Sequence, residues 1–325
     1  MKNSITKICI EAIIIIFILL CFSFCSSAET APLHVSGTKL VDESGRTVQL
    51  KGVSTHNIAW HPQYVNQAAF RSVKKIGGNT IRLAMYSEGT HCYGSDPGAR
   101  ESLEATIERG VSAATAEGMY VIIDWHTLHE HDPNVYVAES ADFFSRMSAK
   151  YRGNSNVIYE ICNEPNGSTT WGDIEDYANK VIPEIRKNDP NALILVGTPK
   201  YCQDFTGPMA EPLSYNNIMY TAHFYAGTHK GETRERIQEA IDSGLPIFVS
   251  ECNICDATGN GNLDLIQAVY WRKFIKNNNL SYIVWNLSNA NESAALIKTS
   301  CRKTGNWSFF DYSASGRFAR IMFRS

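Results

Sequence analysis

Eight short, apolar, β-branched runs recur along residues 49–286, and their spacing constrains the fold more than any other feature of the chain. They are Gln49–Ser54, Thr80–Met85, Tyr120–Trp125, Val157–Cys162, Leu193–Val196, Ile218–His223, Ile247–Ser250 and Tyr282–Asn286. Amphipathic stretches separate most of them: Val65–Ile76, Leu103–Glu117, Ala138–Tyr151, Ile174–Lys187, Thr233–Asp242 and Asp264–Lys276, with a last helix over Gly316–Phe323. Continuous apolar runs are buried on both faces, as in a parallel sheet covered by helices. Eight β-then-α units predict an α/β chain closed into a (β/α)8 TIM barrel. The competing architecture is an open doubly wound sheet. That fold usually carries a Gly-rich phosphate loop after its first strand, and Gly52-Val53-Ser54-Thr55-His56 is not one. Ahead of the barrel, Val35–Leu40 and Thr47–Leu50 flank Asp42-Glu43-Ser44-Gly45, which predicts an N-terminal β-hairpin.

Residues 1–28 have the composition of a secretory signal peptide. Lys2 and Lys7 form a positive start, Ala12–Cys25 is an apolar stretch too short to span a bilayer, and Ser26-Ser27-Ala28 supplies small residues for cleavage. An uncleaved anchor is disfavoured by Glu11 and by that length. Cys21 and Cys25 lack the preceding small residues of a lipid-attachment signal. Residues 29–325 are then one catalytic-size domain, expected to be secreted, extracellular and monomeric, with no linker, repeat or appended module. Removing Lys2, Lys7 and Glu11 takes the formal charge from −3 to about −4. No basic patch suggests nucleic acid or an anionic membrane as partner. Six cysteines stay in the mature chain: Cys92, Cys162, Cys202, Cys252, Cys255 and Cys301. Disulfides are permitted in an exported protein. Cys252-x-x-Cys255 has no second pair, so a local disulfide or two free thiols is expected rather than a metal site.

Two of the apolar runs end in glutamate. Val157-Ile158-Tyr159-Glu160-Ile161-Cys162-Asn163 leads into Glu164-Pro165, and Ile247-Phe248-Val249-Ser250 leads into Glu251. A carboxylate at the tip of a buried strand is costly to place, and a lone one is as often half of a structural ion pair as a functional group. A pair of them matches the two carboxyl groups that glycoside hydrolysis requires. Other polar residues stand at or near the ends of the runs: His56, Arg82, His126, Asn163, His223, Tyr225 and Trp285. Any one histidine here is more often a satisfied core residue than a catalytic one. Their shared position matters because, in a barrel, the C-terminal strand ends converge on one pocket. Glu160 is a rival carboxylate. It sits deeper than Glu164, and a structural partner among the basic groups of the barrel is expected for it.

These residues resemble glycoside hydrolase family 5, in particular its bacterial-type cellulases. The resemblance covers nearly all of residues 29–325. It rests on Ser54-Thr55-His56, Ile81-Arg82, Ile123-Asp124-Trp125-His126, Asn163-Glu164-Pro165-Asn166-Gly167, His223-Phe224-Tyr225, Phe248-Val249-Ser250-Glu251 and Glu292-Ser293-Ala294-Ala295-Leu296. It implies a retaining, two-step hydrolysis of internal β-1,4 bonds in a glucan, with no cofactor and no metal. Glu164 would be the general acid/base and Glu251 the nucleophile, the carboxyl groups about 5–5.5 Å apart. Arg82 and Tyr225 would keep Glu251 ionised, while burial and the Glu251 charge would keep Glu164 protonated. Asn163 would bond the sugar 2-hydroxyl, and His56, His126, His223 and Glu292 would line the substrate. Trp285 and Trp60 are expected as sugar platforms, since apolar sugar faces pack on aromatic rings. Tyr86, Trp171 and Tyr201 are further platform candidates for which plain core packing competes.

The chain departs from the family pattern twice. Cys252-Asn253 stands where an aromatic residue and Gly commonly follow the nucleophile, and Ala290 stands where these cellulases often carry a sugar-binding Lys. The same residues would also serve a relative acting on mannan, mixed-linkage glucan or xyloglucan. A non-catalytic glucan-binding barrel is a further alternative, which the presence of both glutamates, Arg82, Asn163 and Tyr225 opposes.

Overall fold

The structure is a computed structural model that describes residues 30–324. The proposed signal peptide, residues 1–28, lies outside the described residues. Eight parallel strands close into a barrel: β3 (Lys51–Thr55), β4 (Thr80–Tyr86), β5 (Tyr120–His126), β6 (Val157–Glu160), β7 (Ile194–Val196), β8 (Ile218–Tyr225), β9 (Ile247–Asn253) and β10 (Tyr282–Leu287), with β10 returning to β3. The eight apolar runs are these eight strands. Each strand is followed by a helix: α1 (Gln67–Lys75), α2 (Arg100–Ala116), α3 (Val137–Lys150), α4 (Trp171–Asn188), α5 (Thr206–Ala210), α6 (Gly231–Asp242), α7 (Leu265–Asn278) and α8 (Ala314–Phe323). The helix after β7, α5, has only five residues, which is why no amphipathic period marks it. No helix among the described residues is long and apolar enough to cross a membrane.

Alternation along the strands sorts side chains into two layers. Val53, Ile81, Leu83, Val121, Ile123, Tyr159 and Val249 face outward and bury against the helices. Ile122, Ile158, Leu195, Met219, Phe248 and Ile283 face inward and fill the lower barrel. Strand packing is close: a Cβ on Gly52 of β3 would lie 2.0 Å from the Thr80 carbonyl oxygen. Helix starts are capped by the residue types that do this well. Asn66 accepts from Ala69 N, Asp264 from Gln267 N and Ser313 from Gly316 N, and Thr170 forms a capping box with Asp173.

The N-terminal hairpin exists, but its position differs from the expectation. β1 (Leu33–Ser36) pairs with β2 (Lys39–Asp42) across a turn at Gly37-Thr38. Gly37 takes the positive φ of +58° that this turn needs. The expected turn at Asp42–Gly45 is the next one along, closed by Gly45 N to Asp42 O and a bridge between Val41 and Thr47. Asp42 and Gly45 are strong turn residues, but they close the turn that follows the hairpin, not the hairpin itself. Leu33 and Leu40 then pack on Leu50, Tyr120 and the inward residues, closing the bottom of the barrel.

Candidate active site

Polar side chains gather at the opposite, C-terminal end of the strands. One pocket there is lined by His56, Tyr86, His126, Glu164, Tyr201, His223, Tyr225, Glu251, Trp285 and Glu292. These ten all come from the sequence reading. Arg82 and Asn163 lie directly beneath, fully buried and bonded to the lining groups. Trp60 stands at the edge, in ring contact with Tyr86 at 5.4 Å and His56 at 5.8 Å. Trp171 is elsewhere. It opens α4, its indole donates to the Glu211 carbonyl and its ring packs on Tyr220, so it is a core residue and not a platform.

Two departures from regular strand geometry place the glutamates. β6 ends at Glu160, and the chain then stays against the end of the neighbouring β5, with Asn163 N donating to Trp125 O and Glu164 N to Thr127 O. On β9, the pairings Thr221↔Phe248 and His223↔Glu251 on one side, and Tyr282↔Val249 and Val284↔Cys252 on the other, both leave an extra residue in β9. That β-bulge falls between Val249 and Cys252, which both pack outward with the helices. Simple alternation from Phe248 would aim Ser250 inward and Glu251 outward; the bulge turns both into the barrel. It also explains the first departure from the family pattern. Cys252 faces away from the pocket, and Asn253 spends its amide on the carbonyls of Trp285 and Ala294, anchoring the platform strand. Ala290 is not among the residues that line the pocket. Cys252 and Cys255 are free thiols, as are the other four cysteines of residues 30–324.

Arg82 organises the floor. Its guanidinium donates to Glu160 through Nε at 2.7 Å and Nη2 at 3.2 Å, to Asn163 Oδ1 at 2.6 Å and to Glu251 Oε2 at 3.3 Å, and lies 3.1 Å from Asp124. Glu160 thus has the basic partner expected of it. Asp124 Oδ2 is 2.7 Å from His126 Nδ1, and Asn163 Nδ2 is 3.2 Å from His126 Nε2. Burial and Arg82 hold the His126 pKa well below the usual range, so the ring is neutral. It donates through Nδ1 to Asp124 and accepts at Nε2 from Asn163. Tyr86, His126 and Trp285 stack in succession, with ring centroids 4.1 and 5.3 Å apart.

The two glutamates face each other. One acceptor atom from each, together with His223, lies within 4.8 Å of the others. Burial pushes the Glu164 carboxyl up to about 7 against the pull of Arg82. Burial and the Glu164 charge likewise push Glu251 up to about 7, opposed by His223, Arg82 and Tyr225. Their hydrogen-bond partners distinguish them. Glu251 accepts from the Tyr225 hydroxyl at 2.7 Å and from Arg82, both of which favour a carboxylate. Among the described residues the Glu164 carboxyl has one hydrogen-bond partner, His223 Nδ1 at 2.7 Å, and burial holds that ring near a pKa of about 4 and hence neutral. These contacts favour the charged form of Glu251 over that of Glu164.

Six further residues line the pocket without having been expected there: Leu128, Gln203, His229, Ala257, Thr258 and Gly259. Gln203 and His229 share a 2.6 Å contact beside Tyr201, and His229 Nδ1 accepts from the backbone of Tyr225. Gln203 sits in no strand, and only the fold brings it to His229, so no local signal exposes it.

Comparison with known proteins agrees with this geometry. Residues 41–291 match the family Cellulase (glycosyl hydrolase family 5). The chain belongs to that family. It is 48% identical over 288 residues to Endoglucanase A of Butyrivibrio fibrisolvens and 43% identical over 291 residues to an endoglucanase of Clostridium saccharobutylicum. These matches cover 87% and 89% of the chain but 66% and 64% of the relatives, so the chain spans about two thirds of their length or slightly less. Among solved structures, cellulase Cel5C_n superposes with a TM-score of 0.87 at 36% identity, covering 91% of this chain and 93% of that one. A variant of the catalytic domain of Thermobifida fusca endoglucanase Cel5A, in complex with cellotetraose, gives 0.83 at 32% identity, covering 90% and 97%.

Proposed function

We propose that this chain is a retaining endo-β-1,4-glucanase that hydrolyses internal bonds of cellulose and related β-glucans. The observation that carries the reading is the close facing of Glu164 and Glu251, one bonded only to a neutral imidazole and the other held by Arg82 and Tyr225. Oxygen atoms within 4.8 Å of each other leave no room for a water on the far side of the sugar, which favours retention over inversion. Glu251 attacks the anomeric carbon as Glu164 protonates the departing glycosidic oxygen. The resulting ester removes the negative charge beside Glu164, which then accepts a proton from the incoming water. Trp285, with Trp60 and Tyr201 on the flanks, offers aromatic faces for the glucan, and endoglucanase relatives support that substrate class. We also infer export, from the charged start and apolar core of residues 1–28; mass spectrometry of the secreted protein would show a mature chain starting at Glu29.

The test separates the two roles. Glu251→Gln is expected to abolish turnover of carboxymethyl cellulose and of aryl cellobiosides alike. Glu164→Ala is expected to spare the first step with an aryl glycoside whose phenol needs no protonation. Equal loss on both substrates in both variants would refute the assignment. Turnover of mannan alone by the wild-type protein would move the substrate class.

A further inference from the structure

A helix on the outside of a barrel usually buries one stripe and turns charge to water. α6 does this: its exposed positions are Glu232, Glu235, Arg236, Glu239 and Asp242. α7 does not. It buries Ala268, Trp271 and Ile275, and its outer side carries Leu265, Ile266, Val269 and Tyr270, 54 to 71% exposed. Ten large apolar side chains are exposed among the described residues. Two of them, Trp60 and Tyr201, flank the active-site mouth. Four are those of α7, and Phe309, Phe310 and Ile321 belong to neighbouring α8 or the turn before it. Apolar surface gathered on one side in this way marks a place of contact.

The helices on either side hold α7 firmly. Arg234 of α6 donates to Gln267 at 3.1 Å and lies over the Tyr270 ring, and Phe318 and Met322 of α8 share a small cavity with Ala268 and Trp271. Charge differs across the three helices. The later turns of α7 carry Lys273 and Lys276, α8 carries Arg317, Arg320 and Arg324, and α6 is mainly acidic. Lys273, Lys276 and Glu239 form no salt bridge among the described residues. Such a face is complementary to itself. A two-fold axis lying in it sets α7 against its own copy. Packed helices most often cross at about −50°. Because each βα unit of a barrel follows the last by a right-handed step, a crossing of that hand leads the later turns of each α7 over α6 of the other copy, not over α8. Lys273 and Lys276 then approach Glu239 and Asp242, while Ile266, Val269 and Tyr270 meet their own copies at the crossing. The opposite hand would set the lysines on the arginines of α8. α7 has 14 residues, so three such helices about 10 Å apart offer about 600 Å² per copy. Doubled, that reaches the low end of the roughly 1,200–2,000 Å² of a standard interface.

In place of the monomer expected from the sequence, we propose that this chain pairs with a second copy of itself through the outer side of α7, with Lys273 and Lys276 of each copy over the acidic end of α6 in the other. A second copy fits this surface better than a glucan does. Three of the four apolar residues are aliphatic and offer no ring to a sugar face, whereas an apolar centre with a charged rim is the make-up of a protein interface. The two α7 helices run in the same general direction, so both active-site mouths open toward the same side of the pair. Two sites so placed can meet one polymer, and the second contact is then an intramolecular event.

Sedimentation equilibrium of the purified protein tests this. The weight-average mass is expected to rise toward twice that of one chain between about 1 and about 100 μM, the range suited to a small interface. Ile266→Glu and Val269→Glu each put a charge at the apolar centre and are expected to raise the concentration of half-pairing at least about 10-fold. Both positions are exposed in the single copy, so Tm and hydrolysis of a short aryl cellobioside are expected to stay at wild-type values. Lys276→Glu alone and Glu239→Lys alone are expected to weaken pairing, and the two changes together to restore most of it, as only a matched pair allows. A single-chain mass at every concentration would overturn the proposal. Pairing that survives Ile266→Glu and Val269→Glu would put the interface on another face and overturn it as well, and failure of the charge exchange to restore pairing would overturn the arrangement over α6. A single-chain wild type that insoluble cellulose retains, and Val269→Glu does not share, would give the surface to polysaccharide instead.

Discussion

Arg82 shows how one residue can set the electrostatics of a whole site. A single guanidinium, fully buried, serves Asp124, Glu160 and Glu251. Three carboxyl groups on one cation cannot all ionise cheaply in a dry barrel, and burial raises the pKa of each. Tyr225 then favours Glu251 in the competition, because its hydroxyl, which burial keeps protonated, donates to that carboxylate alone. Removing the donor makes the charged form harder to reach, so the Glu251 pKa rises. For Tyr225→Phe, the acidic limb of the pH profile of kcat/KM is expected to move to higher pH while the alkaline limb, set by loss of the Glu164 proton, stays in place. The maximum should drop about 10- to 100-fold, as when a preorganised donor is lost. A profile whose alkaline limb moved instead would assign the proton-donor role to Glu251.

Between elements, the contacts that position Glu164 are tight. Gly197 follows β7, and a Cβ there would lie 2.5 Å from the Cys162 carbonyl oxygen, 2.8 Å from Pro165 and 2.9 Å from the Asn163 carbonyl oxygen. These belong to the segment that carries Asn163 and Glu164. Gly197→Ala is expected to destabilise the fold by about 1–3 kcal/mol, the usual cost of overpacking, and to lower kcat by displacing Glu164, the proposed acid/base. Calorimetry and polymer hydrolysis check this together; an unchanged Tm with full activity would mean the segment gives way freely. What the sequence made legible at this scale follows physical lines. Continuous apolar runs such as Thr80–Tyr86 and Ile218–Tyr225 announce buried parallel strands, and a glutamate at the end of such a run announces a site. Features that depend on a neighbouring strand left no local trace. The β9 bulge, which aims Ser250 and Glu251 together, exists only in the pairing with β8 and β10. The turn that displays Tyr201 was equally silent. Lys200, Tyr201 and Cys202 all take positive φ near +58°, held by the buried Cys202 and by Tyr201 N donating to Pro165 O.

At the scale of the molecule, the barrel order decides how a polymer meets the site. β3 and β7 lie four strands apart in a closed ring of eight, so the segments that follow them stand on opposite sides of the mouth. The first carries Trp60, 43% exposed, and the second carries Tyr201, 45% exposed. Glu164 and Glu251 lie between these two aromatic flanks, with Trp285 and Tyr86 on the floor. Rings left this open at both flanks can take sugars on either side of the scissile bond, and a chain can settle at any point along its length. Cleavage inside a long chain shortens it drastically for each new reducing end. The viscosity of a carboxymethyl cellulose solution is therefore expected to fall much faster than reducing ends appear. Trp60→Ala and Tyr201→Ala should each weaken KM on the polymer more than on a short aryl cellobioside, since each removes about 1 kcal/mol or more of ring contact. Release of cellobiose alone, with viscosity nearly unchanged early in the reaction, would mean that the chain is threaded from one end, and the open groove would then be the wrong description of how this barrel works.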